Sequence, residues 1–434
     1  MKRGLLYLLM LLPLSGWAQD TLFTADIQLL SRGEIRNGGM TSDQDDPSSE
    51  DKSAFILDRE RLILGYKRDW LEAKTTIQHV GTWGHEGAAS VNVYEAWAKA
   101  NANNGLFAQI GRLALRYDDE RIIGSDDWVM VPMTHDALRF GYEGHGHRAH
   151  AILAYNQNMR AITSPGSYYT NGSRPYKTMH TVWYHYDVPK VPLGVSLLFM
   201  NIGMQSGVAG GVGDNRPQTE WQLLYGGYLK FAPSHFTLEG SYYRQAGHDE
   251  YRAKLDAWMA AVKAEWQPND SWSAVAGFDY LSGDDYVPVV YGGMIGLPYH
   301  ETEGGFTPLY GSRTQFYGIM DYFYESAYTQ GFTPGLQNAY LGVLGNPIPQ
   351  LSCSANYHYM AVATDLKDFN RTLGHSIELE AKYRFSPYIS LTAGYTYMIG
   401  TETMECLKQQ NCSKHARWGW FSLVISPSIL TTKW

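Results

Sequence analysis

One ladder near the C-terminus constrains this chain more than any other feature. Ile377, Leu379, Ala381, Tyr383 and Phe385 alternate with Ser376, Glu378, Glu380, Lys382 and Arg384. Successive side chains of a strand point to opposite faces, so four ionisable groups in a row on one face require water there, while the other face requires an apolar medium. After Ser386-Pro387, a tight turn, the pattern resumes with Ile389, Leu391, Ala393, Tyr395 and Tyr397 against Ser390, Thr392, Gly394 and Thr396. A wall that separates water from hydrocarbon has this two-sided pattern.

Runs of the same kind recur along the whole chain. They fall near 24–36, 54–66, 70–82, 91–101, 105–115, 134–142, 146–157, 178–187, 193–204, 219–231, 235–246, 257–267, 271–281, 335–345, 351–364, 374–385, 388–400 and 416–430. About ten residues suffice for a tilted strand to cross a bilayer, and an even count of about 18 suits a closed single-chain barrel. Alternate connections are short, as at 67–69, 101–104, 232–234, 267–270 and 386–387, and the others are long. Short periplasmic turns and long outer loops follow from that asymmetry. No stretch of about 18 apolar residues is present, which excludes a helical membrane protein. Mean hydropathy is −0.32, yet Tyr (32) and Trp (13) are abundant, as interfacial aromatic girdles require. The predicted fold is a transmembrane antiparallel β-barrel of about 18 strands, forming one domain over 19–434. Outer-membrane lipid and the barrel-assembly machinery are its expected partners.

At the N-terminus, Lys2 and Arg3 precede an apolar run from Leu5 to Leu14, and the small residues Gly16 and Ala18 frame a cleavage site before Gln19. This is the pattern of a secretory signal peptide over 1–18, which takes the mature chain out of the cytoplasm; with the barrel pattern it predicts the bacterial outer membrane. Removing Lys2 and Arg3 takes the formal charge from −8 to −10, which argues against a nucleic-acid partner.

The longest connection, about 282–334, falls on the outer side. It contains Phe306-Thr-Pro-Leu-Tyr310 and Phe316-Tyr-Gly-Ile-Met-Asp-Tyr-Phe323. A loop of that length and composition is expected to fold over or into the barrel mouth, the alternative being one more strand pair near 316–324. The acidic run Asp43, Asp45, Asp46, Glu50 and Asp51 reads as a solvated loop tip.

With about 18 strands the lumen holds water, so function is sought on its lining. Arg32, Arg36, Arg59 and Arg61 share the polar parity of adjacent strands, and Lys74 and Arg139 add cations against Glu72 and Glu95. Guanidinium groups bind planar carboxylates bidentately, which points to anionic saccharides or other carboxylated solutes. Cross-strand ion pairing is the structural alternative for many of these charges. His145, His147 and His150 lie in a short turn with no completing ligand, so no metal site or cofactor is expected. No nucleophile-elbow spacing, zinc-binding helix or phosphate loop occurs, so no catalytic residues are assigned. An unselective diffusion pore would fit arginines scattered around the wall, and an outer-membrane hydrolase would need a nucleophile and base converging on the lumen.

The run from Gly111-Arg112 to Arg139 resembles a signature of the alginate-export family of outer-membrane porins, through Tyr117, Arg121, Gly124, Asp127-Trp128 and Asp136-Ala137. Tyr243 with Gln245 and Gly247, Ser282-Gly283-Asp284, Phe306 to Tyr310 and Tyr317 to Asp321 resemble later motifs of that family in the same order. The resemblance implies an 18-stranded barrel with an arginine-rich constriction for an anionic polyuronate. It adds Arg112, Arg121 and Asp321 to the expected pore lining. His135 departs from the family, which has an aromatic residue there.

Of three cysteines, Cys406 and Cys412 lie close together in a polar outer segment and Cys353 stands alone in a strand. Outside the cytoplasm a local Cys406–Cys412 disulfide is expected. Thiol labelling under denaturing, non-reducing conditions should therefore find one reactive cysteine, and three would reject the bridge.

Overall fold

A computed structural model describes residues 21–37, 52–85, 89–156, 176–206, 218–249, 252–284, 289–291, 294–296, 302–320, 333–366, 369–408 and 415–433. The expected leader over 1–18, the acidic run at 43–51, Asp321 and Cys412 lie outside these residues, as does the Cys406 side chain.

Eighteen strands follow one another around a single sheet. They are β1 (Leu22–Asn37), β2 (Lys52–Arg68), β3 (Leu71–Thr82), β4 (Ser90–Asn101), β5 (Leu106–Leu113), β6 (His135–Gly144), β7 (His147–Tyr155), β8 (Thr178–Asp187) and β9 (Leu193–Ser206). The second half comprises β10 (Gln218–Phe231), β11 (Phe236–His248), β12 (Lys254–Asn269), β13 (Trp272–Leu281), β14 (Leu336–Ile348), β15 (Leu351–Ala361), β16 (Thr372–Ser386), β17 (Ile389–Gly400) and β18. The last strand runs in two pieces, His415–Ile425 and Ser428–Lys433, because Pro427 cannot donate to the ladder. Each strand pairs antiparallel with the next, and β18 returns to β1 through Asn37↔Arg417 to Leu22↔Lys433. The barrel is closed, with the strand number the alternation predicts.

The pleat sorts side chains as the sequence requires. On β16, Ser376 and Glu378 are buried inside the barrel, whereas Ile377 and Leu379 face outward and are exposed. Trp70, Phe236, Trp266, Trp272 and Tyr388 are exposed at the short-turn end, at the level of an interfacial girdle. The connection between β13 and β14 adds no wall strand, since Leu281 pairs directly with Leu336. It carries a small hairpin (Val289–Tyr291 with Met294–Gly296) and a 3-10 turn (Arg313–Gln315). A short helix, Glu402–Lys408, lies between β17 and β18.

Glycine matters where an inward aromatic lies flat on the wall. A Cβ at Gly394 would stand 1.9 Å from the Trp420 ring, itself 4% exposed. Gly394→Leu must therefore expel the indole, at about 1–3 kcal/mol. The variant should lose its heat-modifiable form on gels at a lower temperature than wild type. Gly240→Ala, whose Cβ meets nothing nearer than 3.9 Å, should not.

Candidate functional site: the loop-narrowed lumen

Two outer connections turn back into the barrel and meet there. The first, 114–134 between β5 and β6, has Leu115, Tyr117, Ile122 and Ile123 buried, and this apolar content draws it inward. Asp118, Glu120 and Asp126 have positive φ (55°, 64° and 40°), marking the sharp reversals of a chain folded within the lumen. The second is the 302–320 part of the long connection. Its Tyr310 bridges Ile123, with Tyr310 N–H donating to Ile122 O and Gly124 N–H to Tyr310 O. Thr314 donates to Asp126, and Glu378 of β16 accepts the Ile319 N–H at 2.8 Å. The 302–320 part of the long connection thus lies inside the mouth.

The expected arginine column faces the lumen but is committed to holding the first loop. Arg59 donates to the carbonyls of Asp127 and Val129 at 3.2 and 3.0 Å, and Arg32 to that of Trp128 at 2.8 Å. Arg61 donates to Gln78 and to the Asp127 carboxylate, and its guanidinium lies 4.1 Å from the Tyr94 ring centroid. Arg32 and Arg36 share Glu34. Arg32, Arg59 and Arg61 are 5%, 1% and 6% exposed, so their charge is spent on backbone and carboxylate partners. Lys74 pairs with Glu95. Arg121 is buried between Asp119 and Asp279, with Phe316 against its plane.

Arg112 is a correction. Leu113 and His135 are buried inside the barrel, so Arg112 and Asp136, one position away, take the outward parity. Arg112 pairs with Asp136 at 2.8 Å beside Val93, Ile110 and Leu153 on the outer surface and does not line the pore. Its assignment came through the motif resemblance, whereas the pleat sets its direction.

Below the loops lies a cavity of about 1110 Å³. Arg139 reaches it, hydrogen-bonded to Gln109 and the Tyr117 hydroxyl, both neutral. Lys230 and Lys263 straddle the single carboxylate of Glu239, with side chains 51% and 36% exposed. Arg148 pairs with Asp187. Glu378 and Glu380 line the cavity from β16, and Glu143 and Asp187 line it on the side of Arg139 and Arg148. Burial pushes the Asp118 carboxyl of the first loop above its ordinary value, opposed by donors from Ser196 and Trp183. Ser196, His185 and Asp187 also stand in hydrogen-bond sequence. Ser196 is 1% exposed and donates its hydroxyl to Asp118, so this is a wall contact with no accessible nucleophile.

Lys230, Glu239 and Lys263 were missed as a group. They are register neighbours on β10, β11 and β12, and strand parity alone could have found them. Asp279, the buried partner of Arg121, left no such signal. The His145–His150 turn brings no ligands together: His147 stacks outward on Tyr184 and Tyr186, while His150 faces inward against Tyr117.

No family model and no curated protein matches the sequence. Solved structures match in fold. OccK3 (OpdO) of Pseudomonas aeruginosa superposes with a TM-score of 0.60 at 12% identity, over 94% of this chain and 96% of that one. OccAB1 of Acinetobacter baumannii gives 0.61 at 10%, over 94% and 97%. OccK2 (OpdF) of P. aeruginosa, in complex with glucuronate, gives 0.61 at 11%, over 94% and 98%. The chain has the 18-stranded barrel of bacterial outer-membrane porins. Its apolar outer wall places it in that membrane.

Replacing Arg59 and Arg61 together by Ser removes the donors to Asp127 and Val129 and leaves the arginine bond from Arg32 to Trp128, each charge-assisted bond contributing about 1.5–3 kcal/mol. The released loop should give a noisier and larger single-channel conductance. An unchanged trace would show that the arginines do not restrain it.

Proposed function

We propose that this protein is an outer-membrane channel for small carboxylate-bearing solutes of about the size of a monouronate. The observation that carries the reading is the set of cations on one side of the cavity that lack a carboxylate of their own: Arg139 is bonded to the neutral Gln109 and Tyr117, and Lys230 and Lys263 share the one carboxylate of Glu239. A carboxylate entering past the loops exchanges part of its hydration for Arg139 and then for the lysine pair. Each partner is weak and shared enough to release it again, as conduction requires. The glucuronate complex of OccK2 shows a carboxylated sugar accommodated by a barrel of this fold and supports the same solute class here.

The polymeric form of that chemistry, the alginate-like polyuronate of the sequence resemblance, is the finer reading. It is supported by the motif order alone. The committed state of Arg32, Arg59, Arg61 and Arg121 favours the smaller solute, because these groups are closed to a passing chain unless the first loop moves. Block by glucuronate and by oligouronates separates the two sizes.

Selectivity tests the class itself. Lumen cations act on an ion a few Å away, whereas exposed charges on outer loops are screened within about 8 Å at physiological salt. Reversal potentials in planar bilayers should show anion preference in the wild type. Lys230→Gln with Lys263→Gln should shift them toward cations, while Asp45→Ser with Asp46→Ser should change little. A cation-selective wild type, or a lysine pair removed without a shift, would leave the unselective diffusion pore in its place.

A further inference from the structure

The outward wall carries a cluster that the channel does not use. Asp58 and Glu60 alternate along β2 with the inward Arg59 and Arg61, so both carboxylates point away from the lumen. His79 stands opposite Glu60 on β3, and Gly81 stands opposite Asp58. The His79 Nδ1 is 2.5 Å from Glu60 Oε2 and 3.8 Å from Asp58 Oδ2, and the ligand atoms of all three residues lie within 4.8 Å of one another. The surroundings are those of the membrane-facing wall: Leu29, Leu62, Ile77 and Val91 flank the cluster and are exposed.

Two carboxylates on such a surface need a counter-charge, and a single imidazole, even protonated, balances only one of them. Gly81 supplies the room for more. A Cβ at that position would stand 3.2 Å from the His79 ring and 3.4 and 3.5 Å from the two Asp58 oxygens, so the absent side chain leaves a space bordered by two of the three groups. We propose that Asp58, Glu60 and His79 form a binding site for a divalent transition-metal ion, with Zn²⁺ the best fit to two carboxylate oxygens and one imidazole nitrogen. Tetrahedral Zn²⁺ with bonds of about 2.0–2.2 Å sets its ligand atoms roughly 3.3 Å apart. Small rotations of these partly exposed side chains open the Glu60–His79 spacing and close the Asp58–His79 one to that value. The fourth position faces outward, to an oxygen ligand. A bound dication neutralises both carboxylates and ties β2 to β3 by side chains as well as backbone.

The full-length barrel, folded in detergent and stripped with chelator, is titrated with Zn²⁺ by calorimetry and with Co²⁺ by visible absorption. One Zn²⁺ per chain is expected, with the intense absorption of four-coordinate Co²⁺. His79→Ala and Glu60→Gln should each weaken binding by at least the roughly tenfold that even an outer-shell change costs. His180→Ala, an outward histidine on β8 beside Trp221, should not. Heat-modifiability of each variant establishes that the barrel has formed, and because these side chains point outward it is retained. Wild-type binding equal to that of His79→Ala, or displacement of Zn²⁺ by an equal concentration of Ca²⁺, overturns the proposal.

Discussion

The pairing of β18 with β1 is the interaction on which everything else depends. Hydrocarbon offers no partner to a backbone N–H or C=O, so a sheet in a bilayer is tolerated only when it has no edge. The register from Leu22↔Lys433 to Asn37↔Arg417 supplies that closure, and the break at Pro427 is accommodated within it. Once the wall is closed, the pleat sends one set of side chains to lipid and the other to water. The chain can then be polar by composition and still sit in a membrane.

Closure also creates the problem that the inner loops solve. A barrel this wide, left empty, would be an unselective hole. The segments 114–134 and 302–320 occupy the lumen, and their own backbone groups must be satisfied there. They do so by bridging each other at Ile123 and Tyr310 and by drawing on side chains from the wall, with Arg32 and Arg59 donating to three successive carbonyls, Arg61 to the Asp127 carboxylate, and Glu378 accepting from Ile319. The arginine column is therefore chiefly an architectural device. Its guanidinium forks suit carbonyl oxygens as well as carboxylates.

What is left for a solute is the charge that architecture has not consumed. Arg139, Lys230 and Lys263 remain on one side of the cavity, and Glu380 lines it from β16. The formal charge of the chain, −8, says little about that space, because interactions in a narrow passage are set by the groups within a few Å. Half-neutralised cations suit transit better than fully exposed ones, since a solute held too firmly would not leave.

Strand number and the sorting of faces were legible in the sequence, because a pleat of period two is a local property that each strand carries in its own residues. The ladder from Ser376 to Phe385 is enough to define its two media, and Arg32, Arg36, Arg59 and Arg61 have the common face that their parity demands. Parity read from Gln109 and Leu113 would likewise have turned Arg112 outward, where the motif resemblance did not. The tertiary structure alone decided which charges were spent. Whether Arg59 meets a solute or the carbonyl of Val129, 70 positions away, depends on where two loops from distant parts of the chain come to rest across the lumen. That contact is long-range, and no local spacing records it.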